Sequence, residues 1–313
     1  MPRRYDTRSI TEGAMLAAIT VVLSFLGAYV FPYIFFIVPV PLIILVYRHG
    51  LRLGILVTVV SAILAGLLID IMTMVVLLLV LGLVGISIGG ALREQLPPQN
   101  VFALGVAASL TAYALLLFFS QTLFQVNVVD LLMDSFRHSI DQVTALYSRM
   151  GMSEEQLGEA VSMLENLMNL SRMVMPVTFL LSAILLAFVN YWLARSILGR
   201  LGSKIAWFPP FRYWRFPWHL AWGYILGLGL PLITSEGFWI AVAANLQFFF
   251  TYVFMVQGLA ILWFFFDEFR LSRFLRVAIL VLIFLPRWPL STLVVWTGVI
   301  DTWLDIRKLE GLN

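Results

Sequence analysis

Few side chains in this sequence are able to do chemistry, and their spacing is sparse. The histidines His49, His138 and His219 lie far apart, and none belongs to an HExxH or HxxxD pattern, so no set of metal ligands converges. Cysteine is absent, which removes disulfides, thiolate metal sites and a thiol nucleophile. A Walker-type phosphate loop for ATP hydrolysis is missing, as are the GxSx arrangement and the paired intramembrane Asp of membrane proteases. GISIGG, Gly85 to Gly90, contains GxxxGG, but no strand precedes it and it closes an apolar run, so it reads as a helix-packing motif. The carboxylates Glu12, Asp70, Glu236, Asp267, Glu268, Asp301 and Asp305 all fall near the ends of apolar runs, whose interiors are nearly free of charge. Proton-driven carriers place a charged group in mid-path, so that pattern argues against one. Asp301, Asp305 and Arg307 read as a helix end with basic residues in its last turn. No enzyme, cofactor or metal is expected.

Polarity inside the apolar runs comes instead from amides and hydroxyls: Thr73, Gln121, Gln125, Asn190, Asn245, Gln247, Thr251 and Gln257. Such groups either bond helices to one another or line a ligand cavity. Under the topology derived next, Tyr29, Tyr33, Asp70, Thr73, Gln121, Gln125 and Asn245 fall in the outer half of the membrane. A small-molecule pocket needs an apolar wall with a few placed polar groups, so these seven are the candidate ligand-binding residues.

The elements that must position them are membrane helices. Of 313 residues, 61% are hydrophobic and 12% charged, and the apolar runs repeatedly approach the ~20 residues a helix needs to cross a bilayer. Strand-like alternation is lacking, and lipid admits only helices or closed barrels. The chain therefore reads as an all-α polytopic membrane protein of about eight to ten membrane helices. Clear spans fall at roughly 11 to 31, 50 to 69, 71 to 92, 101 to 124, 173 to 195, 219 to 234 and 238 to 266. If the proline-broken segment 33 to 47 also crosses, every basic cluster lands on one side: Arg3, Arg4 and Arg8; Arg48 and Arg52; Arg93; Arg195 to Arg215; Arg270 to Arg276. By the positive-inside rule that side is cytoplasmic, and the N-terminus with it. Segment 277 to 304 carries Pro286 and Pro289 near its middle; two half-length helices joined at PRWP would return Arg307 and Lys308 to the cytoplasm.

Two segments outside the spans carry their own patterns. In 126 to 171, Val129, Met133, Phe136, Ile140, Val143, Tyr147 and Met150 recur at helical spacing, Gly151 closes that helix, and Ser153 with Gln156 forms a capping box for a second one. The second helix shows the face Leu157, Val161, Leu164 and Met168, and Asp130, Asp134, Asp141, Glu154, Glu155, Glu159 and Glu165 make the pair an acidic, extracytoplasmic amphipathic hairpin. The linker 197 to 218 interleaves Trp207, Phe208, Trp214 and Trp218 with prolines and arginines, a composition suited to headgroup level. Nucleic-acid binding would use similar residues, but spans on both sides hold this loop at the membrane surface.

The order of elements supports a comparison. Ala14, Ala17 and Ala18 in EGAMLAAITVVLSFLG, the loop from Tyr29 to Tyr33, the short VPVPLIIL span and RHGLRLGILVTVVSAILAGLLID resemble the N-terminal half of S components of energy-coupling-factor vitamin transporters. That resemblance implies a six-helix bundle over 1 to 196, a substrate near its outer surface, and helix docking of a partner through Ala14 and Ala18. Over its full length, including VVWTGVIDTWLDIRKL, the chain resembles the YybS family of uncharacterised bacterial membrane proteins, with extra membrane helices over 219 to 313. The expected activity is small-molecule binding or transport in the bacterial cytoplasmic membrane. The alternative is a scaffold that recruits a protein partner through the outer hairpin or the basic surface; the lipid bilayer is a partner in either case.

Overall fold

The computed structural model describes residues 6–234, 237–285 and 289–308. Expectations for Arg3, Arg4, Glu236, Pro286 and the centre of the PRWP turn lie outside them. Among the described residues the structure is helical and holds no strand. The helices are α1 (Thr7–Tyr29), α2 (Val40–His49, preceded by a 3-10 turn at Pro32–Phe36), α3 (Leu51–Leu68) and α4 (Ile71–Val80), which continues through a π turn at Leu81–Gly85 into α5 (Ile86–Arg93). They are followed by α6 (Pro98–Leu123), α7 (Val128–Arg149), α8 (Glu154–Met173), α9 (Met175–Arg200), α10 (Leu220–Ile233), α11 (Phe238–Glu268), α12 (Arg273–Ile283) and α13 (Leu290–Leu304). Seven segments are long and apolar enough to cross a membrane, including Pro32–His49 and the continuous Ile71–Arg93, and α10 and α13 are shorter apolar helices. The chain is an all-α polytopic membrane protein.

Its contacts divide it into two compact units: residues up to Leu164 with Phe179–Trp207, and Glu165–Thr178 with the chain from Phe208 onward. The boundaries read from the sequence, 1 to 196, 197 to 218 and 219 to 313, differ from this division. Sequence patterning places a boundary at a composition shift, whereas packing divides the linker at Trp207 and assigns the start of α9 to the second unit.

In the first unit the prolines of the broken segment begin a helix. Pro39 is the N-cap of α2 and Pro41 lies in its first turn, where a missing N–H leaves no helical bond unmade. The resulting ten-residue helix is almost wholly buried. It can approach α5 closely because Gly85 and Gly89 face it: a Cβ on Gly89 would sit 2.8 Å from Val46 Cβ and 2.9 Å from the Ile43 carbonyl oxygen. The packing role read for GISIGG is thus visible. At one end of this unit Glu12 accepts from Arg48 (3.1 Å) and meets His49 (2.9 Å), tying the start of α1 to the end of α2. Arg93 reaches the Tyr47 carbonyl at 3.3 Å at the same end. At the opposite end, Asp70 starts α4. On α7, Met133 and Ile140 are buried, but Phe136 and Met150 of the same predicted face are exposed. Leu157, Val161, Leu164 and Met168 of α8 are half-buried. The capping box is present, with Gln156 Oε1 accepting from Ser153 N–H and Ser153 Oγ from Gln156 N–H, both at 3.3 Å.

In the second unit α11 packs against α10 and α13 around Ala221, Tyr224, Phe250, Phe254, Val295 and Val299. The α11–α13 crossing depends on two glycines, because a Cβ on Gly258 would collide with the Val294 carbonyl and one on Gly298 with the Phe254 carbonyl. Backbone cannot yield as a side-chain tip can. Gly298→Ala is expected to destabilise the purified protein by about 1–3 kcal/mol in thermal unfolding, as overpacking does. Gly199→Ala, at a helical position with open space around it, is expected to be neutral or stabilising by up to about 1 kcal/mol.

Candidate functional site

None of the seven candidate residues lines either recess described below, and Asn245 belongs to the second unit. Asp70 is the N-cap of α4: its Oδ1 accepts from the Thr73 N–H at 2.8 Å and its Oδ2 from the Thr73 hydroxyl at 2.7 Å. Asp70 and Thr73 therefore satisfy each other, and a cap of this kind stabilises a helix by about 1 kcal/mol. Tyr29 and Tyr33 are well exposed and make tilted ring contacts with Phe25 and Phe31 respectively. Gln121 and Gln125 are exposed at the C-terminal end of α6, Gln125 in a left-handed conformation (φ 52°) that ends the helix. Asn245 belongs to the second unit, and all of its amide is engaged. It donates to the carbonyls of Met173 (2.9 Å) and Ala241 (2.8 Å) and accepts from the Val177 N–H (3.1 Å), which bridges the break between α8 and α9. Ala14 and Ala18 lie on the exposed side of α1, whose packed side carries Gly13, Leu16, Ala17, Thr20 and Val21.

What the first unit does contain is an apolar cavity of ≈ 150 Å³ lined by Phe35, Phe36, Val38, Val76, Leu77, Val80, Leu81, Tyr113, Leu116 and Leu186. None of the seven candidates lines it. The chain makes room for it in a specific way: the 3-10 turn before α2 turns Phe35 and Phe36 toward it, and the π turn in the α4–α5 helix begins at Leu81. A π turn adds a residue to one helical turn, and such insertions recur at functional sites. Beside the cavity stands Asn190, fully buried. Its Nδ2 donates to the carbonyls of Phe36 (2.7 Å) and Leu186 (2.8 Å), two of the lining residues, while its Oδ1 is buried with no partner in the protein. An acceptor left in that state forfeits about 1–3 kcal/mol. The two Nδ2 bonds also fix the orientation of the amide.

The second unit holds a polar centre at the foot of α13. Asp301 and Arg307 form an ion pair at 2.9 Å with neither side chain exposed. Asp301 Oδ2 also accepts from Gln257 Nε2 (3.1 Å), and Oδ1 accepts from the Ile306 N–H (3.0 Å). Arg307 donates to the carbonyls of Arg212 (2.7 Å) and Trp214 (2.8 Å), and Gln257 Oε1 accepts from the Phe216 N–H (2.9 Å). Arg215 pairs with Asp305 at 3.4 Å. The segment 211 to 216 is thereby fastened to α11 and to the end of α13. WLDIRK reads from sequence as a helix end with basic residues in its last turn; in the structure Asp305 adopts a left-handed conformation (φ 39°) after α13, and Arg307 is buried. The available signal was the acid six residues before an arginine, opposite a glutamine in the middle of an apolar run.

The helical bundle, the apolar cavity and the buried ion pair describe a multi-pass membrane protein, and comparison places it within a group. The model of the family described as "Predicted membrane protein (DUF2232)" matches residues 18–302, and the chain belongs to that family. It is 23% identical over 316 residues to the Uncharacterized protein YybS of Bacillus subtilis (strain 168), an alignment covering 97% of this chain and 98% of that protein. No solved structure gives a match.

Removing one member of a buried ion pair leaves the other uncompensated. Arg307→Met alone is expected to destabilise the protein by about 3–5 kcal/mol in thermal unfolding, and Asp301→Leu combined with Arg307→Met by less than that single change. A double variant as unstable as the sum of the singles would contradict the pairing.

Proposed function

We propose that this protein binds a small, largely apolar molecule in the first unit, as a binding or transport-related component of the bacterial cytoplasmic membrane, with its N-terminus on the cytoplasmic side. The observation that carries this reading is the ≈ 150 Å³ apolar cavity. A cavity of this size takes up one ring or a short stretch of chain, since an engineered cavity of about 150 Å³ binds benzene. Asn190 holds the wall from behind, through its bonds to the Phe36 and Leu186 carbonyls. The order of elements in the N-terminal half, similar to that of vitamin-binding S components, supports a role in binding. So does the position of the cavity: Val76 lies six residues along α4 from Asp70, about 9 Å at 1.5 Å per residue, toward the end that the charge pattern assigns to the outside. Ala14 and Ala18, exposed on α1, suit docking of a partner helix.

A photoreactive long-chain alcohol tests this. Labelling of the purified protein should concentrate on α4 and α6 near Leu77 and Tyr113, and an unlabelled alcohol of the same length should compete. Val76→Phe, which fills the cavity, should reduce labelling roughly tenfold, the effect of about 1.4 kcal/mol. Uniform labelling of the lipid-facing surface, unchanged by Val76→Phe, would overturn the reading.

A second reading, recruitment of a protein partner, is favoured by the hairpin. α7 exposes Leu131, Leu132, Phe136 and Leu146 while burying only Met133 and Ile140 among its residues. Deletion of 128 to 170 should then remove a co-purifying protein while the remaining membrane helices keep their cooperative unfolding. Purification of the intact chain without any partner from its own membranes would count against it.

A further inference from the structure

A second recess, polar rather than apolar, lies in the second unit on the side of the 211 to 216 segment. It encloses ≈ 280 Å³ and is lined by Arg212, Tyr213, Phe264, Asp267 and Glu268. Its parts are held in place. The Arg212 carbonyl accepts from Arg307, which fixes the 3-10 turn Phe211–Tyr213, and the Arg212 guanidinium stands 4.8 Å from the centre of the Tyr213 ring. Asp267 is paired on both oxygens, Oδ1 with Arg276 at 2.7 Å and Oδ2 with Arg212 at 3.1 Å.

Two charged groups retain capacity for a ligand. Arg212 uses Nη1 for Asp267, and its side chain remains 39% exposed. Glu268 is exposed at the last residue of α11 and forms no ion pair among the described residues, Arg270 and Arg273 included. A carboxylate there adds to the negative end of the helix dipole, so the position favours a cation. Asp267 is shared by Arg212 and Arg276, so Glu268 is the carboxylate left without an ion pair among the described residues, and its charge disfavours a bare anion. Arg212 at the same recess disfavours a bare cation. A ligand that carries both charges meets neither objection. The aromatic group Phe211, Trp214 and Trp263 next to it has the composition of a membrane–water interface.

We propose that this recess binds a zwitterion with an ammonium and an oxyanion in one headgroup, the ammonium on Glu268 and the oxyanion on Arg212, as an ethanolamine phospholipid presents them. This site is independent of the apolar cavity in the first unit.

The test uses the full-length protein in detergent, with binding followed by native mass spectrometry and calorimetry. The probes are short-chain phosphatidylethanolamine, short-chain phosphatidylglycerol and free O-phosphoethanolamine. The ethanolamine lipid should bind at least roughly tenfold more tightly than the glycerol lipid, as one charge-assisted hydrogen bond allows. Glu268→Gln should abolish that preference without changing the unfolding temperature of the ligand-free protein, and Arg212→Gln should weaken both lipids. Binding of O-phosphoethanolamine as tight as that of the lipid supports the site and identifies a soluble zwitterion as its ligand, whereas binding of the lipid alone identifies the headgroup. Equal or tighter binding of phosphatidylglycerol, a preference that survives in Glu268→Gln, or no binding of any probe would each overturn the proposal.

Discussion

Asp301 and Arg307 meet at 2.9 Å with no exposed surface on either side chain, and the organisation of the second unit follows from that contact. An isolated charge cannot stay buried in a membrane protein, because no water is at hand to replace the lost hydration. The chain surrounds the pair with backbone and amide groups, Gln257 and the Ile306 N–H on the carboxylate and the carbonyls of Arg212 and Trp214 on the two Nη atoms of the guanidinium, and leaves the buried Arg307 Nε without a partner among the described residues. Each of these bonds fixes a different element. The loop after Phe208, the middle of α11 and the end of α13 become one body through a single buried contact, and the close glycine crossing of α11 with α13 lies on the same helix pair. The polar recess at Arg212 inherits its geometry from this arrangement.

The same constraint explains why polar side chains that look available in the sequence are occupied in the structure. Asp70 and Thr73 close the start of α4, Asn245 bridges the break at Val174, and Glu12 joins α1 to α2. In each case the residue type was visible and its partner was not. Helix existence was legible because runs of Leu, Ile and Val leave no other structure possible in lipid, and the capping box at Ser153 was legible because it is local. Pro39 and Pro41 were read as breaks in a helix; they mark where a short helix starts, a distinction that depends on the 3-10 turn before them. Likewise α12 and α13 are separate helices, and Arg307 bonds the Arg212 carbonyl.

The cavity of the first unit was not legible at all. Its lining residues are ordinary apolar ones, and a sequence does not distinguish an apolar side chain that faces lipid from one that faces a void. The π turn that begins at Leu81 has no composition of its own. Asn190 was visible as an interior amide, but an orphaned Oδ1 is a property of geometry: both protons of its amide must first be traced to the carbonyls of Phe36 and Leu186. The exposed tyrosines and glutamines drew attention because they were polar and near span ends, a signal that does not report on concavity.

The central proposal is that the apolar cavity of the first unit takes up a small ligand. A high-resolution experimental density map of the purified protein tests this most directly. The account predicts elongated non-protein density between Phe36, Leu77, Leu81 and Tyr113. A cavity closed by its own side chains, with no such density, would contradict it.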